Sequence, residues 1–155
     1  MTTNNVNTTI NFYHLTTSSF DKALPALLEK AIASGYRTLL TVSSIEQAKA
    51  VDNLLWKYEP YSFLPHGIYD DKLAEKQPIL ISCEMENINS ANLLMITDGR
   101  EITQSDKFDK IVDIFDGKDK YAVESARKRW KKYKDEQYQI NYFKQSESGV
   151  WQKAA

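Results

Sequence analysis

Cysteine is almost missing from this chain. Cys83 stands alone among 155 residues, so no disulfide can close within it, and no CxxC metal or redox motif exists. A single thiol fits a reducing cytosol, where Cys83 reads as a small buried apolar residue. Histidine is nearly as scarce. His14 and His66 lie far apart, with no HExxH between them, so no metal site is expected. The five glycines, at 35, 67, 99, 117 and 149, form neither GxGxxG nor GxxxxGK[ST]. That excludes the usual phosphate-cradling loops, and no cofactor is expected. No GxSxG elbow is present to expose a nucleophilic serine. Apolar runs of 18 residues are absent, so no membrane span is expected. The uncharged, mostly polar start lacks the basic head and apolar stretch of a secretion signal, and residues 1–9 are expected to fray.

What is present suffices for a core. Apolar residues make up 42% of the sequence, and 155 residues suit one domain, expected over residues 10–153. A chain of that size buries roughly two-thirds of the surface that its unfolded form exposes. Ile10–Leu15 (INFYHL) reads as a buried strand. Ser19–Ser34 reads as a helix with Ala23, Leu24, Leu27, Leu28, Ala31 and Ile32 at spacings of three and four, stopped at Gly35. Pro25 leaves the start of that helix open. Tyr36–Val42 reads as a strand, and a helix follows, capped by Ser43 or Ser44, with Ile45, Ala48, Val51, Leu54, Leu55 and Tyr58 turned inward.

Tyr61–His66 reads as extended, and Gly67–Gln77 as an exposed loop. Ile79–Ser82, Asn92–Thr97 and Lys110–Phe115 read as strands, Lys118–Asp135 as a long helix, and Gln139–Lys144 as a strand at a sheet edge. The segment from Gly149 on reads as a polar tail, apart from Trp151. Short apolar strands alternating with helices predict a three-layer α/β/α, Rossmann-like domain with a mainly parallel sheet.

Charge is uneven although the net is only −1. Six of the 20 lysines and arginines fall between Arg127 and Lys134, leaving 14 against all 21 carboxylates elsewhere. On the helix carrying this run, Ala122, Ala126, Arg129 and Tyr133 follow one line with Val123 and Trp130 beside it. Arg127, Lys131 and Lys134 follow another, extended one heptad earlier by Lys120. Two cations one turn apart can meet one ligand, and an arginine fork matches a carboxylate. Three uses remain open: a solvated face, a site for a short acidic peptide, or a single-stranded nucleic-acid surface using Trp130. The acidic remainder of the chain disfavours a long phosphate backbone. A small hydrolase using Asp113, Asp116 or His66 is a further reading, but D-x-x-D-G is better explained by a turn aspartate and a charge near the helix.

Several segments taken together resemble one family. They are Phe12–Leu15 (FYHL), Ala23–Lys30 (ALPALLEK), Leu55–Trp56, Ser62–Gly67 (SFLPHG), Gln77–Leu80 (QPIL), Val112–Lys118 (VDIFDGK), Ala126–Lys134 (ARKRWKKYK), Tyr142–Gln145 (YFKQ) and Gly149–Lys153 (GVWQK). In this order, over nearly the whole chain, they resemble the chi subunit of bacterial DNA polymerase III holoenzyme. The resemblance implies a Rossmann-like fold without catalysis, located in the cytoplasm at the nucleoid-associated replisome. It implies a link between the clamp loader and single-stranded DNA-binding protein, whose acidic C-terminal tail ends in a phenylalanine. It also implies the psi subunit as a second partner, a helicase as a further one, and DNA met indirectly.

The family's tail-gripping arginine matches Arg127, its aromatic matches Trp130, its next lysine Lys131 and its apolar wall Phe115. A family lysine one turn earlier falls on Val123, leaving Lys120, Lys128 or Lys134 to take its place. Trp56, Phe63, Leu64, Pro65 and His66 are the candidates for the psi surface, expected to lie exposed at an edge.

Overall fold

The computed structural model describes residues 7–58, 64–103 and 108–155. Eight strands form a single sheet: β1 (Thr9–Leu15), β2 (Thr38–Thr41), β3 (Gly67–Ile68), β4 (Ile79–Ser82), β5 (Leu93–Ile96), β6 (Lys110–Asp116), β7 (Gln139–Gln145) and β8 (Trp151–Lys153). The three helices are α1 (Phe20–Ala33), α2 (Ile45–Lys57) and α3 (Lys120–Asp135). The strand order is β3-β4-β2-β5-β6-β1-β7-β8. Every neighbouring pair is parallel except β7 and β8. This is the three-layer, mainly parallel architecture expected from the sequence.

Alternation along each strand divides the core in two. Tyr13, Leu15, Leu40, Ile79, Ile81, Leu93, Met95, Val112 and Ile114 meet α1 and α2. Ile10, Phe12, Leu39, Leu80, Leu94, Ile96, Ile111 and Phe115 meet α3. The long strands β1 and β6 are almost continuously buried because both faces are covered.

The helix ends follow their caps. Ser19 accepts from the Lys22 N–H, Ser44 from Gln47 N–H, and Asp119 from the N–H groups of Tyr121 and Ala122. Gly35, at φ +87°, closes α1, with the Tyr36 N–H bonded to the Ala31 carbonyl. Pro25 stays inside α1, in its second turn, and is buried.

Three sequence expectations need correction. β7 is an inner strand because the segment taken for a polar tail supplies β8, which pairs antiparallel with it. Part of the expected 67–77 loop is ordered as β3 and a 3-10 turn over Ala74–Lys76. Ile45, placed on the inner stripe of α2, is 51% exposed because it is the first residue of the helix. At the N-terminus β1 begins at Thr9, and the buried Thr8 hydroxyl bonds to the Phe108 carbonyl.

Candidate peptide-binding surface on α3 and β7

α3 is mostly charged, and its apolar side rests on β6 and β7. Ala126, Arg129 and Tyr133 are the buried positions. Arg129 is therefore not part of the exposed run of cations. Its Nε and Nη2 donate to the two carboxylate oxygens of Asp113 at 2.8 and 3.0 Å, and its Nη1 donates to the Gly99 carbonyl and the Ser125 hydroxyl. Arg129 is 3% exposed and Asp113 1%. Burial pushes the Asp113 carboxyl above the usual carboxylate range, and the Arg129 fork pulls it back. Asp113 is a structural charge near the helix, and Asp116 is a turn residue that accepts from the Lys118 N–H at 2.9 Å.

Five cations of the run remain in water: Arg127, Lys128, Lys131, Lys132 and Lys134. Among the described residues, the ion pairs made by α3 are Arg129–Asp113 and Lys132–Glu101. Arg127, Lys131 and Lys134 are spaced four and three residues apart, along one side of α3. Lys128 lies about 100° further round the helix. It shares a shallow depression with Lys131, Lys132, Asp135 and Glu136, and, two residues before Trp130, it lies about 160° from it round the helix.

Beside Arg127 lies an aromatic cluster built by three parallel strands. The register sets Phe12 beside Tyr142, and His14 between Phe115 and Lys144. The half-buried Trp130 meets Phe12 and Tyr142 edge-on, at centroid distances of 5.8 and 5.5 Å. His14 lies 4.8 Å from the Phe115 ring, and its Nδ1 is 2.6 Å from the Tyr142 hydroxyl. Burial holds the His14 imidazole below its ordinary pKa, and the charges of Lys144 and Arg127 add to that, against an opposing push from Asp116. Burial raises the Tyr142 phenol, and Arg127 opposes it. Arg127 is thus electrostatically coupled to both rings.

The structure brings Arg127, Trp130, Lys131 and Lys134 together on this surface. Phe115, expected as an apolar wall, is 6% exposed and serves as the floor under His14 and Tyr142. Sequence reading missed His14, Tyr142 and Lys144. The alternation in β1 and β7 placed each on a face, but only the β1–β7 pairing joins them.

The second candidate surface divides. Trp56 is 60% exposed, with its ring 4.7 Å from that of His66, and Pro65 is half-buried. Leu64 and His66 are buried, contrary to expectation. The His66 Nδ1 donates to the Leu64 carbonyl at 2.6 Å, and its Nε2 lies 3.0 Å from Asp52. These contacts tie the segment to α2 and remove His66 as an exposed catalytic base. Phe63 lies outside the described residues. Among the described residues no group of three His, Cys, Asp or Glu side chains is placed to hold a metal, and no helix is long and apolar enough to cross a membrane.

Comparison with known proteins gives a family match over most of the chain. Residues 8–141 match the family described as DNA polymerase III chi subunit, HolC. The chain is 28% identical over 155 residues to a probable DNA polymerase III subunit chi of Rickettsia prowazekii (strain Madrid E), covering 94% of this chain and 91% of that protein. It is 30% identical over 127 residues to the DNA polymerase III subunit chi of Haemophilus influenzae, covering 79% and 88%.

Proposed function

The chain belongs to the DNA polymerase III chi subunit family, and from that premise we propose that it ties the clamp loader to single-stranded DNA-binding protein by receiving that protein's acidic C-terminal tail on the α3–β7 surface. Chi is a non-catalytic accessory subunit, so its part in DNA replication is to bind. The observation that carries the reading is the pairing of exposed cations with half-buried rings. Arg127, Lys131 and Lys134 line α3 next to Trp130 and Tyr142, while Arg129 is withdrawn into the core. The Arg127 guanidinium would take the terminal carboxylate through paired hydrogen bonds. Trp130 and Tyr142, over Phe115, would contact the terminal phenyl ring. Lys131, Lys134 and Lys144 would attract the upstream aspartates, and Lys128 would add only long-range charge.

The psi subunit is assigned to the other surface, around Trp56 and Pro65. The exposed Trp56 ring, close to His66, supports that assignment. A helicase is the further partner that the resemblance supplies. In this reading the protein works in the cytoplasm at the replisome and meets DNA chiefly through its partners.

A synthetic peptide with an acidic stretch and a C-terminal phenylalanine is expected to bind at micromolar strength, about −8 kcal/mol. Amidating its C-terminus should weaken binding by at least about tenfold, because a charge-assisted hydrogen bond is worth roughly 1.5–3 kcal/mol. Equal affinity of the free and amidated peptides would reject recognition of a terminus. Loss of oligonucleotide binding together with peptide binding in Arg127→Ala would favour a direct nucleic-acid site on α3.

A further inference from the structure

On the sheet face opposite α3, a groove of about 280 Å³ runs between the C-terminal half of α1 and the strands β5, β6, β1, β7 and β8. Among the described residues, α1 and α2 are the helices on this face, and the β7–β8 end of the sheet forms one side of the groove. Aromatic side chains occupy that end. Phe143 stacks on Tyr13 at 5.0 Å, and Trp151 meets Tyr13 edge-on at 4.9 Å. All three rings are half-buried and line the groove, with Tyr36 forming its far wall. The charged side chains in the lining are Lys30 and Lys110; no carboxylate is among them. The Lys110 ammonium stands 5.1 Å from the Tyr36 ring centroid. Lys153 is paired across from Phe143 and so lies on the same face.

We infer that this groove receives a nucleotide unit of single-stranded DNA, with its base against the rings and its phosphates on Lys30 and Lys110. Aromatic platforms flanked by cations suit such strands because every base has a π face, so stacking tolerates any sequence. An apolar helix docked here would strip water from two lysines without compensation. The net charge of −1 limits the contact to a few phosphates, so it is weak and salt-sensitive. A weak contact of this kind gains weight when a second one already holds the chain near the strand. The groove lies on the opposite face from α3, and the inference does not rest on the tail-binding reading.

The test uses the full chain and a fluorescein-labelled oligothymidylate, followed by anisotropy at low salt. The parent is expected to bind with a log–log salt slope of about −1.4, for two phosphate contacts on a single strand. The double variant Lys30→Glu/Lys110→Glu should bind at least about tenfold more weakly, with its circular dichroism and its affinity for the acidic peptide unchanged. Trp151→Ala should also lose about tenfold, and Trp151→Phe, which keeps a ring, should recover most of it. Absence of oligonucleotide binding by the parent would overturn the inference. Binding unaffected by the double charge reversal, or lost only with Arg127→Ala, would overturn it equally.

Discussion

Replacing Arg129 by alanine tests whether the run of cations is divided between core and surface. The parent structure holds the Asp113 carboxylate at 1% exposure with two hydrogen bonds from one guanidinium. Removing that fork leaves an isolated buried charge, and breaking such a pair from one side costs about 3–5 kcal/mol. The expected loss in urea unfolding at neutral pH is of that size. It should also depend on pH. Asp113 already has a folded-state pKa raised above its unfolded value, and without Arg129 the rise is larger. An acid raised on folding binds its proton more tightly in the native state, so it destabilises above its folded pKa and relieves that penalty as pH falls. The deficit of Arg129→Ala against the parent should therefore shrink on acidification. The double variant Asp113→Leu/Arg129→Met, which removes both charges, should recover most of the stability. A loss below about 1 kcal/mol, or a deficit that grows in acid, would refute the assignment of Arg129 to the core.

Gly117→Ala should destabilise by about 1–3 kcal/mol in the same assay, since a Cβ there would collide with the His14 ring and the Leu15 carbonyl oxygen, and the backbone atom cannot rotate away. Tyr142→Phe deletes the hydroxyl that bonds His14 and should cost about 0.5–1.5 kcal/mol, measured by urea unfolding. His14 has a folded-state pKa below its unfolded one, so it stabilises at neutral pH and that stability is lost as pH falls; His14→Gln should lose less stability between neutral and mildly acidic pH than the parent. Trp56→Ala should change stability by no more than about 1 kcal/mol while weakening psi capture in a pull-down, because the ring is mostly exposed.

The fold was legible in the sequence where one residue's partners lie close along the chain. The spacing of Leu24, Leu27, Leu28 and Ala31, the serine caps and Gly35 placed α1 almost to the residue. The apolar runs at 79–82, 92–97 and 110–115 placed β4, β5 and β6 to within a residue at each end for the same reason. What escaped depends on pairing across the chain. β8 has three residues, two of them polar, and only its antiparallel partner β7 makes it a strand. The position of Arg129 on the line of Ala122, Ala126 and Tyr133 signalled burial, yet the carboxylate that permits it lies on β6. His14, Tyr142 and Lys144 join the candidate surface only through the β1–β7 register. His66 looked like part of an exposed edge because its partner, Asp52 on α2, is not apparent from the local pattern.

The most direct measurement of the central claim is a calorimetric titration of intact single-stranded DNA-binding protein into the parent chain and into Arg127→Ala, each repeated with that protein's last few residues removed. The expected result is micromolar binding by the parent, a loss of roughly 1.5–3 kcal/mol in the variant, and no binding by either once the tail is gone. Affinity that survives removal of the tail, or that is the same in the parent and in Arg127→Ala, would contradict it.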